Sequence, residues 1–159
     1  MNITIVAVGK VKERYFTSAI EEYAKRLSRY CKLHIIEVKD ERAPESLSHK
    51  EELQVKDVEG ERILSKLPAD AYVIALERKG VKMTSEAFAN KIVDIQTYNS
   101  SHIAFVIGGS LGLSNAVRRK ADLELSFSSF TFPHQMMRVI LLEQIYRAFR
   151  INNNEPYHK

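Results

Sequence analysis

Apolar positions along this chain follow two alternating rhythms. "ITIVAVG" at 3–9 is a continuous apolar run, as a strand buried on both faces requires. The next stretch, 13–30, spaces Tyr15, Phe16, Ala19, Ile20, Tyr23 and Leu27 for one face of a helix. The pair then repeats: a strand at 32–38, a polar loop at 39–49, and a helix at 50–67 carrying Leu53, Val55, Val58, Ile63, Leu64 and Leu67, with Gly60 inside it as a possible interruption. A third strand is predicted at 71–76 and a helix at 84–98 opened by Thr84 or Ser85 as N-cap. A fourth strand follows at 102–109, a short helical turn at 114–120, a weaker fifth strand at 122–128 and a last helix at 134–151. Strands separated by helices in this way predict an α/β fold, a mostly parallel sheet flanked by helices on both faces. No internal repeat, low-complexity segment or linker divides the chain, so a single domain over 1–159 is expected.

The last helix departs from the pattern. Met136, Met137, Val139, Ile140, Leu141, Leu142, Ile145, Tyr146, Ala148 and Phe149 cover nearly its whole circumference. At about 100° per residue, Glu143, Gln144 and Arg147 cluster on one side while Arg138 points the opposite way. So little wet face predicts a helix covered twice, by its own sheet and by a second copy of the chain in a two-fold homodimer.

Composition narrows the class. With 159 residues and 45% hydrophobic content the chain can bury a core without a disulfide or a metal. No run of about 18 apolar residues and no cleavable leader pattern occurs, which points to a cytoplasmic protein with no membrane partner. The single Cys31 precedes a strand without a glycine turn or helix N-terminus to activate it and reads as an inert thiol. This bears on chemistry, because methylation of a pyrimidine carbon usually needs a cysteine nucleophile and methylation of nitrogen does not. The excess of 24 Lys plus Arg over 20 Asp plus Glu permits an anionic partner. Lys10, Lys12 and Arg14 form one basic cluster after the first strand, and Arg118, Arg119 and Lys120 a second; for each, a plainly solvated surface is the alternative.

In an open parallel sheet, ligands bind beyond the carboxyl ends of the strands. Three such ends are unusual here: "LERKGVKM", "IGGSLGLS" and "SFSSFTFPH". Gly108, Gly109 and Gly112 remove side chains where the fourth strand stops, which suits either close approach of backbone to a ligand or a tight turn. This is neither a P-loop nor a dinucleotide fingerprint after the first strand. A nucleotide-binding oxidoreductase is therefore disfavoured, although Glu37 and Asp40 offer an acidic residue after strand two. Phe127, Phe130 and Phe132 alternate with Ser128, Ser129 and Thr131, a mixture of apolar walls and free backbone that fits an adenine ring or simply ends the sheet. Pro133 then closes the extended run and sets His134 at a helix N-terminus.

"VIGGSLGLS", "LSFSSFTFPHQMMRVILLEQIYRAFRI", the ending "NNNEPYHK" and the opening "ITIVAVGKVKE" together resemble the bacterial ribosomal large-subunit pseudouridine N3-methyltransferases of the SPOUT class, along essentially the whole chain. The resemblance implies a trefoil knot in the cofactor-binding part, about 71–159, an exception to the rule that chains do not thread loops. It also implies S-adenosylmethionine as cofactor, held by Leu76, Gly108, Gly109 and the segment Phe127, Ser128, Ser129, Phe130, Thr131 and Phe132, with no metal. The implied partners are a second copy packed through the knot and helix 69 of 23S rRNA in the assembled ribosome, where N3 of a pseudouridine receives the methyl group. Methyl transfer from a sulfonium needs alignment and a dry pocket, and the imide nitrogen must lose its proton. His134 is the first candidate base, with capping or packing as its alternative. Tyr157 and His158, on a tail expected to be mobile after Pro156, are candidates to reach the RNA base. Arg147 and Arg138 are candidate phosphate or base contacts, Arg147 alternatively pairing with Glu143 one turn away. Because no separate RNA-binding module is present, one subunit is expected to hold cofactor while the other's basic N-terminal residues and tail grip rRNA. The competing reading is a non-catalytic RNA- or ribosome-binding module of the same fold.

Overall fold

The computed structural model describes residues 1–159. Five strands form one all-parallel sheet in the order β2-β1-β4-β3-β5: β1 (Asn2–Val8), β2 (Lys32–Val38), β3 (Tyr72–Lys82), β4 (His102–Ile107) and β5 (Leu123–Ser126). The helices are α1 (Arg14–Leu27), α2 (His49–Leu64), α3 (Ser85–Tyr98), α4 (Asn115–Lys120) and α5 (His134–Asn152). Side chains alternate across the central strands, as the two-residue period demands. Ile3, Ile5 and Ala7 of β1 face a core shared with α1, α3 and α5, whereas Val6 and Val8 face a second core with α2 and α4. Both faces of the sheet are thus covered, which is why its central strands read as unbroken apolar runs.

Local chemistry sets the element boundaries. Ser48 and Glu51 form a reciprocal capping box at the start of α2, and Thr84 and Ser114 cap α3 and α4 by accepting from the backbone N–H groups of Ala87 and Val117. Of the two candidates at the head of α3, the cap is therefore Thr84. Gly60 does not interrupt α2. It lies where α2 meets α4, and a Cβ there would stand 2.3 Å from the Ser114 hydroxyl, so only glycine fits the contact. The third strand runs six residues beyond its predicted end, through "ERKGVK", with a register shift between Leu76 and Val81 where it pairs with β5. The fourth strand stops at Ile107, which frees Gly108 and Gly109 from the ladder.

Much of the missing wet face of α5 is explained within one chain. Leu141, Leu142, Ile145, Tyr146, Ala148 and Phe149 are buried among the sheet, α1 and α3. Arg138, expected as a possible RNA contact, is instead 2% exposed. Its guanidinium pairs with Glu37 at 2.5 Å and donates to the carbonyls of Val8 and Gly9 at 3.0 and 2.7 Å, tying α5 to the ends of β1 and β2. The C-terminal tail is not a loose appendage either. Arg150 holds Glu155 at 2.9 Å and the Pro156 carbonyl at 2.8 Å, while the Tyr30 hydroxyl donates to Glu155 at 2.8 Å. No helix is long and apolar enough to cross a membrane.

Candidate functional site

Because every strand points the same way, the loops after β1, β3, β4 and β5 converge at one end of the sheet. A cavity of about 710 Å³ opens there, within the size range of small-molecule sites. Its floor is the turn Gly108–Leu113 after β4; Leu76, Glu77 and Arg78 of β3 form one wall, and Leu125 to His134 most of the other. Gly108 is fixed by crowding, since a Cβ would lie 2.9 Å from Leu113 Cδ2 and 3.0 Å from the Gly112 carbonyl carbon. The Gly109 carbonyl accepts from the Gly112 N–H at 3.1 Å, closing the turn.

The aromatic wall is ordered by its own hydroxyls. Ser126 donates to the carbonyl oxygens of Arg78 and Ser128 at 2.7 and 3.1 Å, and the Ser128 hydroxyl accepts from the Phe130 N–H at 3.0 Å. Arg78 donates to the Thr131 hydroxyl at 3.2 Å, bridging the two walls. Of the nine residues expected around a cofactor, Leu76, Gly108, Gly109, Phe127, Ser128, Phe130, Thr131 and Phe132 line the cavity. Ser129 lies outside its lining, where its hydroxyl accepts from the Lys82 ammonium. Leu111, Leu113, Glu77, Arg78 and Met137 also line it and were missed. The signal for the leucines was their alternation with glycine in "GSLGLS"; for Met137 it was its place one turn after His134.

His134 begins α5 at the cavity edge. Its Nδ1 is buried without a protein partner, and its ring touches the site of Gly9, whose Cβ would lie 3.4 Å from Cε1. Burial, then the neighbouring Arg138 charge, hold its pKa below the ordinary histidine value, so the ring is neutral at neutral pH. Arg147, Tyr157 and His158 form a separate cluster. Arg147 pairs with Glu143 at 2.7 Å, the Tyr157 hydroxyl donates to the same carboxylate at 2.7 Å, and His158 bridges Arg147 at 3.0 Å and Glu86 at 2.7 Å. Burial and the Glu143 carboxylate push the Tyr157 phenol well above its usual pKa. Thirteen residues of helix separate His134 from Arg147, about 20 Å at 1.5 Å per residue. One chain therefore brings the four residues into two sites, not one. Cys31 is buried on the opposite side of the sheet from α2, its thiol pushed up to about 11 by burial. No group of three His, Cys, Asp or Glu side chains is arranged to hold a metal.

A parallel α/β sheet whose glycine turn and aromatic loop line one cavity at its carboxyl end defines an α/β protein with a pocket of small-molecule size. Comparison places it more closely. The family described as "Predicted SPOUT methyltransferase" matches residues 1–158, and the chain belongs to that family of methyltransferases. It is 58% identical over 159 residues to "Ribosomal RNA large subunit methyltransferase H 1" of Clostridium perfringens and 59% identical to "Ribosomal RNA large subunit methyltransferase H" of Exiguobacterium sp., each covering all of both chains. Solved structures share the fold: a tRNA (m1G37) methyltransferase from Aquifex aeolicus (TM-score 0.53, 13% identity, 92% of this chain and 70% of that one) and a putative methyltransferase from Legionella pneumophila with bound cofactor SAM (0.51, 13%, 94% and 66%).

Proposed function

We propose that this chain methylates N3 of a pseudouridine in helix 69 of 23S rRNA, acting in the cytoplasm on the assembled ribosome. The observation that carries the reading is the cavity at the ends of β3, β4 and β5, where backbone of Gly108–Gly112 and the Phe127–Phe132 wall meet beside His134. The full-length relatives named as large-subunit rRNA methyltransferases support the substrate class.

The residues fit S-adenosylmethionine. Side-chain-free backbone at Gly108 and Gly109 and the apolar faces of Leu76, Leu111 and Phe127 would hold its adenine, and the Glu77 carboxylate suits its cationic end. When bound, it supplies a methyl group on a sulfonium for in-line displacement. The chain's own contribution is to exclude water with the aromatic wall, to align the target nitrogen, and to accept its proton. Neutral His134, with no protein partner at Nδ1, is suited to that last role.

The domain spans 1–159 with a knotted cofactor part at about 71–159. Two copies pack through α5, leaving partly exposed Met136, Val139 and Ile140 to meet the partner. Such a dimer accounts for the two separate clusters, since one subunit's Arg147, Tyr157 and His158 then serve the other's cavity. Calorimetric titration with S-adenosylmethionine and with NAD tests the assignment: binding of the first alone is expected, and binding of neither would refute it.

A further inference from the structure

The segment Lys10–Phe16 lies at the same end of the sheet as the cavity, because β1 runs parallel to β4 and delivers it there. It is held rigidly. The Gly9 N–H donates to the Val38 carbonyl at 2.8 Å, the Val11 N–H donates to Glu37 at 3.2 Å, and buried Arg138 grips the Gly9 carbonyl. This scaffold presents a cluster of cations outward: Lys10, Lys12 and Arg14 are exposed and enter no ion pair. The one acid among them, Glu13, turns a carboxylate oxygen inward until it is fully buried, and the first turn of α1 carries no acid. Among these cations stands Tyr15, 68% exposed, its ring propped edge-on against Phe16 at 4.6 Å.

A propped, exposed aromatic ring among cations that enter no ion pair matches what single-stranded nucleic acid needs: a face for a base and charge for the flanking phosphates. We propose that Tyr15 stacks an unpaired base of the rRNA next to the methylation target, with Lys10, Lys12 and Arg14 on the adjoining phosphates. This deepens the rRNA reading and rests on it. The surface meets the same chain's cavity at Gly9, whose neighbour is the His134 ring, so these basic residues, expected to act from the partner subunit, serve their own cavity, and a strand lying across Tyr15 continues toward it.

The test compares the wild-type protein with Tyr15→Ala, Tyr15→Trp and Lys10→Ala/Lys12→Ala on ribosomes that lack the methyl group. Tyr15→Ala is expected to raise KM about tenfold with little change in kcat and none in the salt slope, since stacking is an uncharged contact, while Tyr15→Trp restores KM. The double lysine variant should instead flatten the dependence of log KM on log salt by roughly two phosphate contacts. S-adenosylmethionine affinity should be unchanged in all three. An unaltered KM in Tyr15→Ala would overturn the proposal, as would dissociation of the dimer by that substitution, which would assign the ring to a second copy of this chain. If the wild-type protein itself leaves ribosomes unmethylated, the rRNA reading fails, a result separate from any difference between variants.

Discussion

The Glu59 carboxylate lies directly against the α-carbon of Gly109: a Cβ built on that glycine would stand 3.1 and 3.3 Å from its two oxygens. Glu59 is buried, accepts the Glu41 N–H at 2.9 Å and has its pKa raised chiefly by that burial. It thus joins α2, the loop after β2 and the glycine turn of the cavity. Gly109→Ala must displace either this carboxylate or Val8, whose Cγ1 would lie 3.2 Å away. Overpacking of this kind costs about 1–3 kcal/mol, and S-adenosylmethionine affinity, measured by calorimetry, should fall about tenfold or more if a similar cost falls on the bound turn.

Gly60→Ala sets two effects against each other. Helix propensity favours alanine by about 1 kcal/mol, but the new Cβ would stand 2.3 Å from the Ser114 hydroxyl. Steric cost wins because Ser114 is buried and caps α4. Urea unfolding should show a net loss of stability of about 1–2 kcal/mol.

Arg138→Met keeps the apolar length of the side chain and deletes its bonds. The Val8 and Gly9 carbonyls lose their donor and Glu37 its partner. A loss of about 1–3 kcal/mol is expected by denaturant titration, with methyl transfer also reduced, because Gly9 and His134 share this anchor.

His134 confers a pH dependence whose sign follows from its lowered pKa. As pH falls through about 6.5, the unfolded chain takes up the proton first. The stability contribution is therefore full above that value and is lost as pH falls toward the folded-state pKa. Denaturation midpoints followed from about pH 7.5 to about pH 5 should decline less steeply in His134→Gln than in the wild-type protein.

With its thiol held at about 11, Cys31 stays protonated at neutral pH. Cys31→Ala should retain methyl transfer at close to the wild-type rate, and thiol reagents should label the native protein far more slowly than the urea-unfolded one.

What could be read from the sequence was what periodicity and turn chemistry encode. The five strands, four long helices and glycine turn follow from local pattern, whereas the cap at Thr84, not Ser85, and the Phe127–Phe132 wall of the cavity needed the structure to decide between two readings. Contacts between distant segments do not follow from local pattern. Gly60 reads as a helix break until Ser114 is set against it, Arg138 reads as an RNA contact until Val8, Gly9 and Glu37 surround it, and nothing local marks Glu59 until Gly109 lies against it. The extension of β3 through "ERKGVK" was hidden because its side chains are mostly exposed and charged. The tail looked free because Arg150, Tyr30 and Glu155, which pin it, are up to 125 residues apart.

The proposed reaction is methyl transfer to one base of rRNA. Ribosomes from cells lacking this protein, incubated with it and labelled S-adenosylmethionine, should gain a single methyl group, located by mass spectrometry of nuclease fragments on a pseudouridine of helix 69. Label on another nucleotide, or tight cofactor binding with no label in 23S rRNA, would contradict it.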